Sequence, residues 1–299
     1  MPTITLRAFL LMCAGLAGCT TSGTEDAGSE LGVDMPRSGT LALIRLERAP
    51  LTEAGPARVV TNAKVARYTG LDGSSVLKLL GVDVRDGESC TVSGRLDDFP
   101  LAVGAHVELL SVGDISLRVG SRTHTLSPRL FPDLAATASG WFYAGNADMS
   151  AELGESEPAR DGGVGGDEYV LSAPGRQGVG RFDLSVAAPG EVLGLQLADS
   201  ALTGDETLSR NSDAHLTWEP EDMRDRLELE VFAGGSVLSC SLRDDGQFTL
   251  PRQKLALLDQ DAQASLVVRR VRVISTDMQG IETAYVRLAT TKTWPVRID

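Results

Sequence analysis

The chain has 299 residues, with 28 Lys and Arg against 41 Asp and Glu, which gives a formal net charge of −13 at pH 7. Because an acidic balance of this size repels phosphate backbones, nucleic acid is excluded as an expected partner. The length is sufficient for two domains of ordinary size, each with its own hydrophobic core.

The N-terminus has the parts of a secretory signal. Arg7 supplies a positive charge, and an apolar run follows it over residues 8–16. That run is too short to cross a bilayer, which takes about 20 apolar residues. Residues 1–18 are therefore predicted to be a signal peptide that is removed from the mature protein.

The tetrad at the end of this segment, Leu16-Ala17-Gly18-Cys19, resembles a bacterial lipobox. The resemblance implies cleavage before Cys19, a diacylglycerol group on its thiol and a fatty acyl group on its new amine. Two or more acyl chains give stable membrane anchoring. The position after the cysteine is Thr20, where an inner-membrane retention signal usually has Asp, so the resemblance implies the outer membrane, with the protein facing the periplasm or the cell surface. The alternative is an ordinary signal peptide in which Cys19 has no role.

The next segment, residues 19–38, is predicted to be a disordered tether. It is rich in Gly, Ser, Thr and acidic residues and has few apolar side chains, so it cannot offset the entropic cost of ordering. As a random coil it would span about 25 Å, enough to hold a folded domain clear of lipid headgroups.

Beyond the tether, the dominant hydrophobic period is two. Alternation is clearest over residues 115–119, 182–187 and 227–231, and it predicts half-buried strands. Glycine-containing pairs such as Gly120-Ser121 and Gly234-Gly235 predict tight turns between strands. Helical periodicity occurs only briefly. The predicted fold class is all-β, with two β-sandwich-like domains.

The first predicted domain, residues 39–180, is β-rich and resembles no known family. Its predicted strands lie at residues 40–47, 58–68, 89–93, 105–111, 114–119 and 168–172. The glycine-rich acidic stretch at residues 154–167 is predicted to be a loop, because it is too polar and flexible for a strand.

The second predicted domain covers residues 181–299. Within it, the segment Ala214-His215-Leu216-Thr217-Trp218-Glu219-Pro220, followed by a strand over residues 226–232, resembles the start of a fibronectin type III or immunoglobulin-like sandwich. The resemblance implies that Trp218 packs on the core and that seven strands form two sheets, provided that one strand precedes residue 205.

Apart from one cysteine in the signal and Cys19, the cysteines are Cys90 and Cys240. In an oxidising compartment they could form a disulfide that joins the two domains and closes a loop of about 150 residues. Alternatively, Cys240 is a free, buried cysteine, because it alternates with leucines on an apolar face. The sequence leaves both readings open.

An unusual aromatic triplet, Trp141-Phe142-Tyr143, stands in a chain with few aromatic residues. In a strand, Trp141 and Tyr143 would point to the same face. Such a pair can stack on a sugar or a peptide backbone, or it can belong to a core or a domain junction.

No catalytic, metal-binding or cofactor motif is present among the three histidines, the cysteines or the glycine-rich segments. We therefore expect a non-enzymatic, lipid-anchored envelope protein without cofactor or metal. Its expected role is interaction or scaffolding. We expect it to be attached to the membrane through its lipid and to have an envelope or surface protein, or a glycan, as its partner. The alternative is a carbohydrate-binding accessory protein or a cryptic hydrolase of the cell envelope, and a hydrolase requires two carboxylates that face each other across a cleft.

Overall fold

A computed structural model describes residues 37–50, 57–81, 87–93, 105–135, 138–148 and 168–299. The all-β fold class is confirmed, with 63% strand and 5% helix and several sheets in a sandwich-like arrangement. The strands are β1 Ser38–Pro50, β2 Ala57–Thr69, β3 Ser89–Ser93, β4 His106–Leu109, β5 Ile115–Val119, β6 Arg122–Leu126, β7 Arg129–Ala135, β8 Ala138–Asp148, β9 Glu168–Ala173, β10 Phe182–Ala187, β11 Gln196–Leu197, β12 Ser200–Ala201, β13 Thr207–Leu208, β14 Ala214–Thr217, β15 Arg226–Ala233, β16 Ser236–Arg243, β17 Gln247–Leu250, β18 Asp261–Met278 and β19 Ile281–Ile298. The helices are α1 Gly73–Leu79 and α2 Arg252–Leu255.

One large sheet organises these strands. Ten of its eleven strands are neighbours in the order β3-β16-β15-β18-β19-β1-β2-β4-β8-β7, and β13 pairs in parallel with the end of β19. Strand β1 also pairs in parallel with β19, from Leu41 opposite Thr283 to Arg48 opposite Thr290. The first and last long strands of the described chain therefore lie side by side at the centre of the sheet.

The face of the large sheet that two smaller sheets cover is called the inner face below. The four-stranded sheet β10-β9-β5-β6 packs over β1, β2 and β8 and encloses the first core. Its contributing side chains alternate along each strand, as in Ile115, Leu117 and Val119 of β5, which are all at most 1% exposed. This alternation is the period-two pattern by which the sequence predicted the strand.

The second four-stranded sheet, β12-β11-β14-β17, packs over β3, β16, β15 and part of β18 and encloses the second core. Trp218 follows β14 and lies in this core at 5% exposure, the position that the resemblance to an immunoglobulin-like or fibronectin type III sandwich implies for it. Leu229 of β15 and Val268 of β18 contribute from the large sheet.

The two sandwiches are not consecutive segments of the chain. Strands β18 and β19, of 18 residues each, form a hairpin that contributes to both cores. The predicted boundary between residues 180 and 181 falls between β9 and β10, which pair as neighbours in one sheet. Strand β3, assigned by the sequence to the first domain, pairs with β16 of the second sandwich. Strand pairing in the large sheet and in the sheet β10-β9-β5-β6 thus crosses the predicted boundary.

The opposite, outer face of the large sheet carries α1. The helix begins after Asp72, whose carboxylate accepts a hydrogen bond from the backbone N–H of Ser75 at 2.8 Å and so caps the helix N-terminus. Val76 and Leu77 are fully buried in a third apolar cluster on β1, β2 and β4. This short helix is therefore held by one cap and by packing, because seven residues are too few for a stable isolated helix.

Replacing Asp72 by alanine is expected to lower the free energy of unfolding by about 1 kcal/mol at neutral pH. Hydrogen bonds from the side chains of Ser74 and Ser75 lower the pKa of Asp72 from 3.8 to about 2. Because the folded pKa is below the unfolded one, this contribution is present above the unfolded pKa and is lost as pH falls towards the folded pKa. Urea unfolding at pH values from about 7 down to about 3 measures it.

Asp72→Ser is the matched control for this prediction, because serine caps a helix without titrating in this range. The difference between wild type and Asp72→Ala should shrink with acid, while the difference between Asp72→Ser and Asp72→Ala should not. A pH-independent effect of Asp72→Ala would contradict the assignment of a titrating cap.

Candidate functional site

The predicted functional positions differ in how the structure places them. Cys19, the whole signal segment and the tether up to residue 36 lie outside the described residues. Within the part of the chain that the structure describes, no helix has both the length and the apolar character needed to span a membrane.

Cys90 and Cys240 are joined by a disulfide. The two residues stand directly opposite each other in the pairing of β3 with β16, with a Cα–Cα distance of 4.1 Å. Cys240 is buried in the second core, and Cys90 packs against it half-buried. The bond therefore fastens the edge strand β3 to its neighbour in the large sheet, and it does not link two separate domains.

The aromatic triplet lies in β8, where Trp141 and Tyr143 share the inner face as the alternation predicts. Tyr143, however, is completely buried in the first core, and its hydroxyl oxygen accepts a hydrogen bond from the backbone N–H of Val112 at 2.7 Å. Trp141, on the same face, is half-buried. A ligand-stacking surface made of both rings is therefore wrong, because only Trp141 reaches solvent.

Trp141 instead forms an exposed apolar pair with Leu130, called the apolar patch below. Leu130 lies on β7 directly opposite Trp141 of β8, and it is 64% exposed. Among the described strands, β7 ends the large sheet. Its pairing is regular from Arg129 to Phe131 and then shifts, and Pro132 at that point has no N–H to donate. The patch thus lies beside a short length of regular sheet edge.

An open depression of about 420 Å³ lies on the solvent side of the sheet β10-β9-β5-β6. Ser116 of β5 and Ser172 of β9 are cross-strand neighbours within it, and Arg181 lies at its rim in an exposed ion pair with Asp183. Its lining offers hydrogen-bonding groups but no aromatic ring. It therefore does not replace the sugar-stacking surface that the sequence suggested.

A buried ionic network, called the junction network below, lies on the inner face between the two sandwiches. Its centre is Arg270 of β18, with a side chain only 2% exposed. Arg270 Nε lies 2.9 Å from Asp244 Oδ2, and Arg270 Nη1 lies 3.0 Å from Glu221 Oε2. The same guanidinium donates to the backbone carbonyls of Glu191 at 2.7 Å and Glu219 at 2.5 Å. One side chain therefore ties together three loops that meet between the cores.

The carboxylates of this network are also held from other directions. Asp244 accepts a hydrogen bond from the indole N–H of Trp218 at 2.7 Å, and Glu221 accepts one from the backbone N–H of Gly190 at 2.7 Å. Nearby, Arg272 binds Asp225 through two parallel bonds of 2.7 and 2.8 Å. Burial raises the pKa of Asp225 above its usual value, although the bonds from Arg272 act in the opposite direction.

A second ionic network, the outer-face network, lies on the other side of the same strands. Because side chains alternate along a strand, Arg269 faces away from Arg270. Arg269 binds Glu47 of β1 at 2.9 Å and Glu230 of β15 at 2.5 Å, and Arg287 of β19 pairs with Glu228. Each of the three carboxylates is thus bound by an arginine, and none faces another carboxylate across an open cleft.

The electrostatics of the outer-face network follow from burial and neighbouring charge. Burial alone would raise the pKa of Glu47, but Arg269 and a hydrogen bond from Thr291 lower it below its usual value. Burial lowers the pKa of Arg45, and repulsion by Arg287 on the neighbouring strand adds to the effect. Glu47 and Glu228 act in the opposite direction, so burial is the main cause of the lowered pKa.

Sequence reasoning missed both ionic networks. A signal was present in β18, where residues 267–273 read Val-Val-Arg-Arg-Val-Arg-Val. Arginines at successive positions place a cation on each face of a strand. In a sheet with one buried face, one of the two arginines therefore faces the core and needs a buried anionic partner. The partners of these arginines lie far away in the chain, so the pairing itself was not predictable from the local sequence.

The described residues hold no group of three or more His, Cys, Asp and Glu side chains arranged to bind a metal ion. His106 lies on β4 and His124 on β6, while His215 lies on β14 in the second sandwich. His215 Nδ1 makes a 3.2 Å hydrogen bond with the hydroxyl of Thr249.

Comparison with known proteins gives no assignment. No protein family and no curated protein matches the chain. A solved structure described as "Structural insight into host cell surface retention of a 1.5-MDa bacterial ice-binding adhesin" matches at 13% identity over 86% of this chain, with a TM-score of 0.19, and the chain spans 64% of its length. The Fcho1 Mu homology domain of Danio rerio with a bound Eps15 peptide matches at 10% identity over 89% of this chain and 98% of that one, with a TM-score of 0.23. At these TM-scores neither structure carries an argument about this protein.

Proposed function

We propose that the protein is a lipid-anchored envelope protein that binds another protein through the apolar patch and has no catalytic role. The observation that carries the proposal is the exposure of Leu130, at 64%, directly opposite Trp141 at the end of the large sheet. Apolar side chains grouped on a surface are typical of interaction sites. The lipobox-like tetrad that ends at Cys19 supplies the anchor, and Thr20, which stands where an inner-membrane retention signal has Asp, supports an outer-membrane location.

The geometry of β7 suggests how a partner binds. Backbone groups at a sheet edge pair with an extended segment of another protein, and neighbouring side chains select it. Regular pairing covers residues 129–131, and Pro132 limits the length available to a partner strand, because it has no N–H to donate. The partner therefore adds a short strand and packs an apolar side chain on the patch.

The Cys90–Cys240 disulfide supports a location outside the cytosol, because such bonds persist in oxidising compartments such as the periplasm. An envelope location agrees with the predicted signal peptide. The function proposed for the patch needs no cofactor, metal or nucleic acid.

The proposal includes an immunoglobulin-like or fibronectin type III-like fold for the second sandwich. Strands β11 and β12 lie before residue 205, where the resemblance requires a strand. Strand β14 pairs with β17 in one sheet, while β15, β16, β18 and β19 lie in the other, so the chain passes between sheets as in a Greek-key sandwich. Sandwiches of this class present loops and edges to partners.

The test places a photo-crosslinking amino acid at position 130 of the anchored protein in intact cells. We expect one dominant adduct with a specific envelope or surface protein, identified by mass spectrometry. The matched control carries the same group at position 257, because Leu257 is 60% exposed on the second sandwich, away from the patch. No adduct should form there with the same partner.

Two further variants decide between specific and incidental contact. Trp141→Ala should remove the adduct at position 130, because it removes half of the patch. Cys19→Ala should release the protein from the membrane fraction and reduce the same adduct. Equal labelling at positions 130 and 257 would overturn the patch, and unchanged membrane retention of Cys19→Ala would overturn the anchor.

A further inference from the structure

Three cationic side chains lie close together on the outer face of the large sheet, and we call them the cation cluster. Arg45 lies on β1 directly beside Arg287 of β19, and Lys64 lies on the other neighbouring strand, β2. Lys64 pairs opposite Leu43, and Leu43 is the next residue to Arg45 on the outer face of β1. The large sheet therefore brings three positive charges from three adjacent strands to one place.

The surrounding carboxylates do not balance this charge. Of the three in the outer-face network, two are bound by Arg269, and Arg287 pairs with the third. The bonds that the structure gives for Arg45 and Lys64 go to neutral groups, namely the carbonyl of Gly81 at 3.1 Å and that of Leu80 at 2.9 Å. Among the described residues, four cations thus share three anions, in a protein whose formal net charge is −13.

An unsatisfied buried donor lies on one side of the cluster, on Arg287 of β19. The Arg287 side chain is 7% exposed, and its Nη2 binds Glu228. Its second terminal nitrogen, Nη1, is buried and has no hydrogen-bond partner in the part of the chain that the structure describes. Such a group is costly to leave unpaired, more so when it is charged. A ligand oxygen would remove that cost.

Capping of α1 explains only part of the arrangement. Arg45 and Lys64 bind carbonyls that follow the last turn of the helix, where positive charge is favourable. Capping does not need Arg287, and it provides no hydrogen-bond acceptor for Arg287 Nη1. It also does not offset the repulsion between Arg45 and Arg287, which is one cause of the lowered pKa of Arg45.

We propose that the cation cluster binds a small oxyanion of the phosphate, sulfate or carboxylate class. Arg45 and Lys64 are half-buried, and the neighbouring Arg287 is buried. Guanidinium groups present N–H donors in a planar fork that matches such oxygens, and the lysine adds a point charge. The oxyanion accepts hydrogen bonds from Arg287 Nη1 and from Arg45, whose bond to Gly81 is exposed and free to exchange. This site does not depend on the lipid anchor or the apolar patch.

The test is isothermal titration of the detergent-solubilised full-length protein with sodium phosphate, sodium sulfate and sodium succinate, at constant ionic strength set with chloride. Saturable binding of at least one anion is expected. Stronger binding of phosphate or sulfate would place the ligand in the phosphate or sulfate class, while stronger binding of succinate would place it in the carboxylate class. No binding of any of the three would overturn the proposal.

Two variants and a matched control assign the site. Arg45→Gln is expected to weaken binding about tenfold or more without unfolding the protein, because the contact given for its guanidinium is one exposed carbonyl. Arg287→Gln should do the same if circular dichroism shows that it folds. The control Arg181→Gln removes an exposed arginine that pairs with Asp183 on the other side of the molecule. Equal affinity in Arg45→Gln and Arg181→Gln would place the anion elsewhere and overturn the site.

Discussion

Arg270→Met is expected to lower the free energy of unfolding by about 3–5 kcal/mol, the cost of removing one partner from a buried ion pair. The substitution keeps the volume of the side chain but leaves the buried carboxylate of Asp244 without its cation. It also removes the donors to two loop carbonyls, at Glu191 and Glu219. Urea unfolding followed by circular dichroism and tryptophan fluorescence measures the loss, since Trp218 donates to the same carboxylate.

Arg181→Met is the control for Arg270→Met. Its ion pair with Asp183 is exposed, so the loss should be at most about 1 kcal/mol. The double variant Arg270→Met/Asp244→Asn should recover part of the stability, because it removes the unpaired charge together with its partner. If Arg270→Met costs no more than Arg181→Met, the junction network does not hold the two sandwiches together.

Strands with a clear apolar alternation were predictable from the sequence. The residues predicted for β3 and β10 match the observed strands, since short strands with one buried face are specified by their own side chains. The predicted glycine turns also occur, as at Gly120 and Gly234, which adopt φ of +55° and +58°. In these elements the local sequence favours the same backbone conformation that the folded structure needs.

The pairing of distant strands was not predictable in this way. Strands β1 and β19 lie in parallel although more than 240 residues separate Leu41 from Thr283. Alternation shows that each strand has a buried face, but it does not show which strand lies beside it. Strands β18 and β19 are also longer than their apolar pattern, since polar residues such as Ser275 and Thr276 continue β18 beyond Ile274.

The candidate sites show the same division between local and distant information. The sequence placed Trp141 and Tyr143 on one face correctly, but only the position of the covering sheet decides that Tyr143 is buried and Trp141 is not. Likewise, the apolar face of β16 accounted for the burial of Cys240, whereas its pairing with Cys90 depends on a strand 150 residues away in the chain. The arginine pairs depend on sheet order, which a single sequence does not contain.

The double variant Cys90→Ser/Cys240→Ser is expected to lower the free energy of unfolding by about 5 kcal/mol, the chain-entropy value for a loop of this length. The disulfide closes a loop with a sequence separation of 150 residues and joins strands that are directly paired. Its loss frees β3, which has one described neighbour, β16. Urea unfolding gives the global loss, and amide hydrogen exchange in β3 and β16 gives the local one.

The control for the disulfide is Thr91→Ala, an exposed substitution in the same strand, with an expected effect of about 0.5 kcal/mol or less. Chemical reduction of the wild type should reproduce the loss seen in the double cysteine variant and leave that variant unchanged. Exchange should accelerate first in β3, because its backbone pairs with one described strand, β16, and none of its residues is fully buried. If β3 stays protected and stability falls no further than in Thr91→Ala, backbone pairing and Val92 are sufficient to hold the edge of the sheet, and the disulfide does not stabilise it.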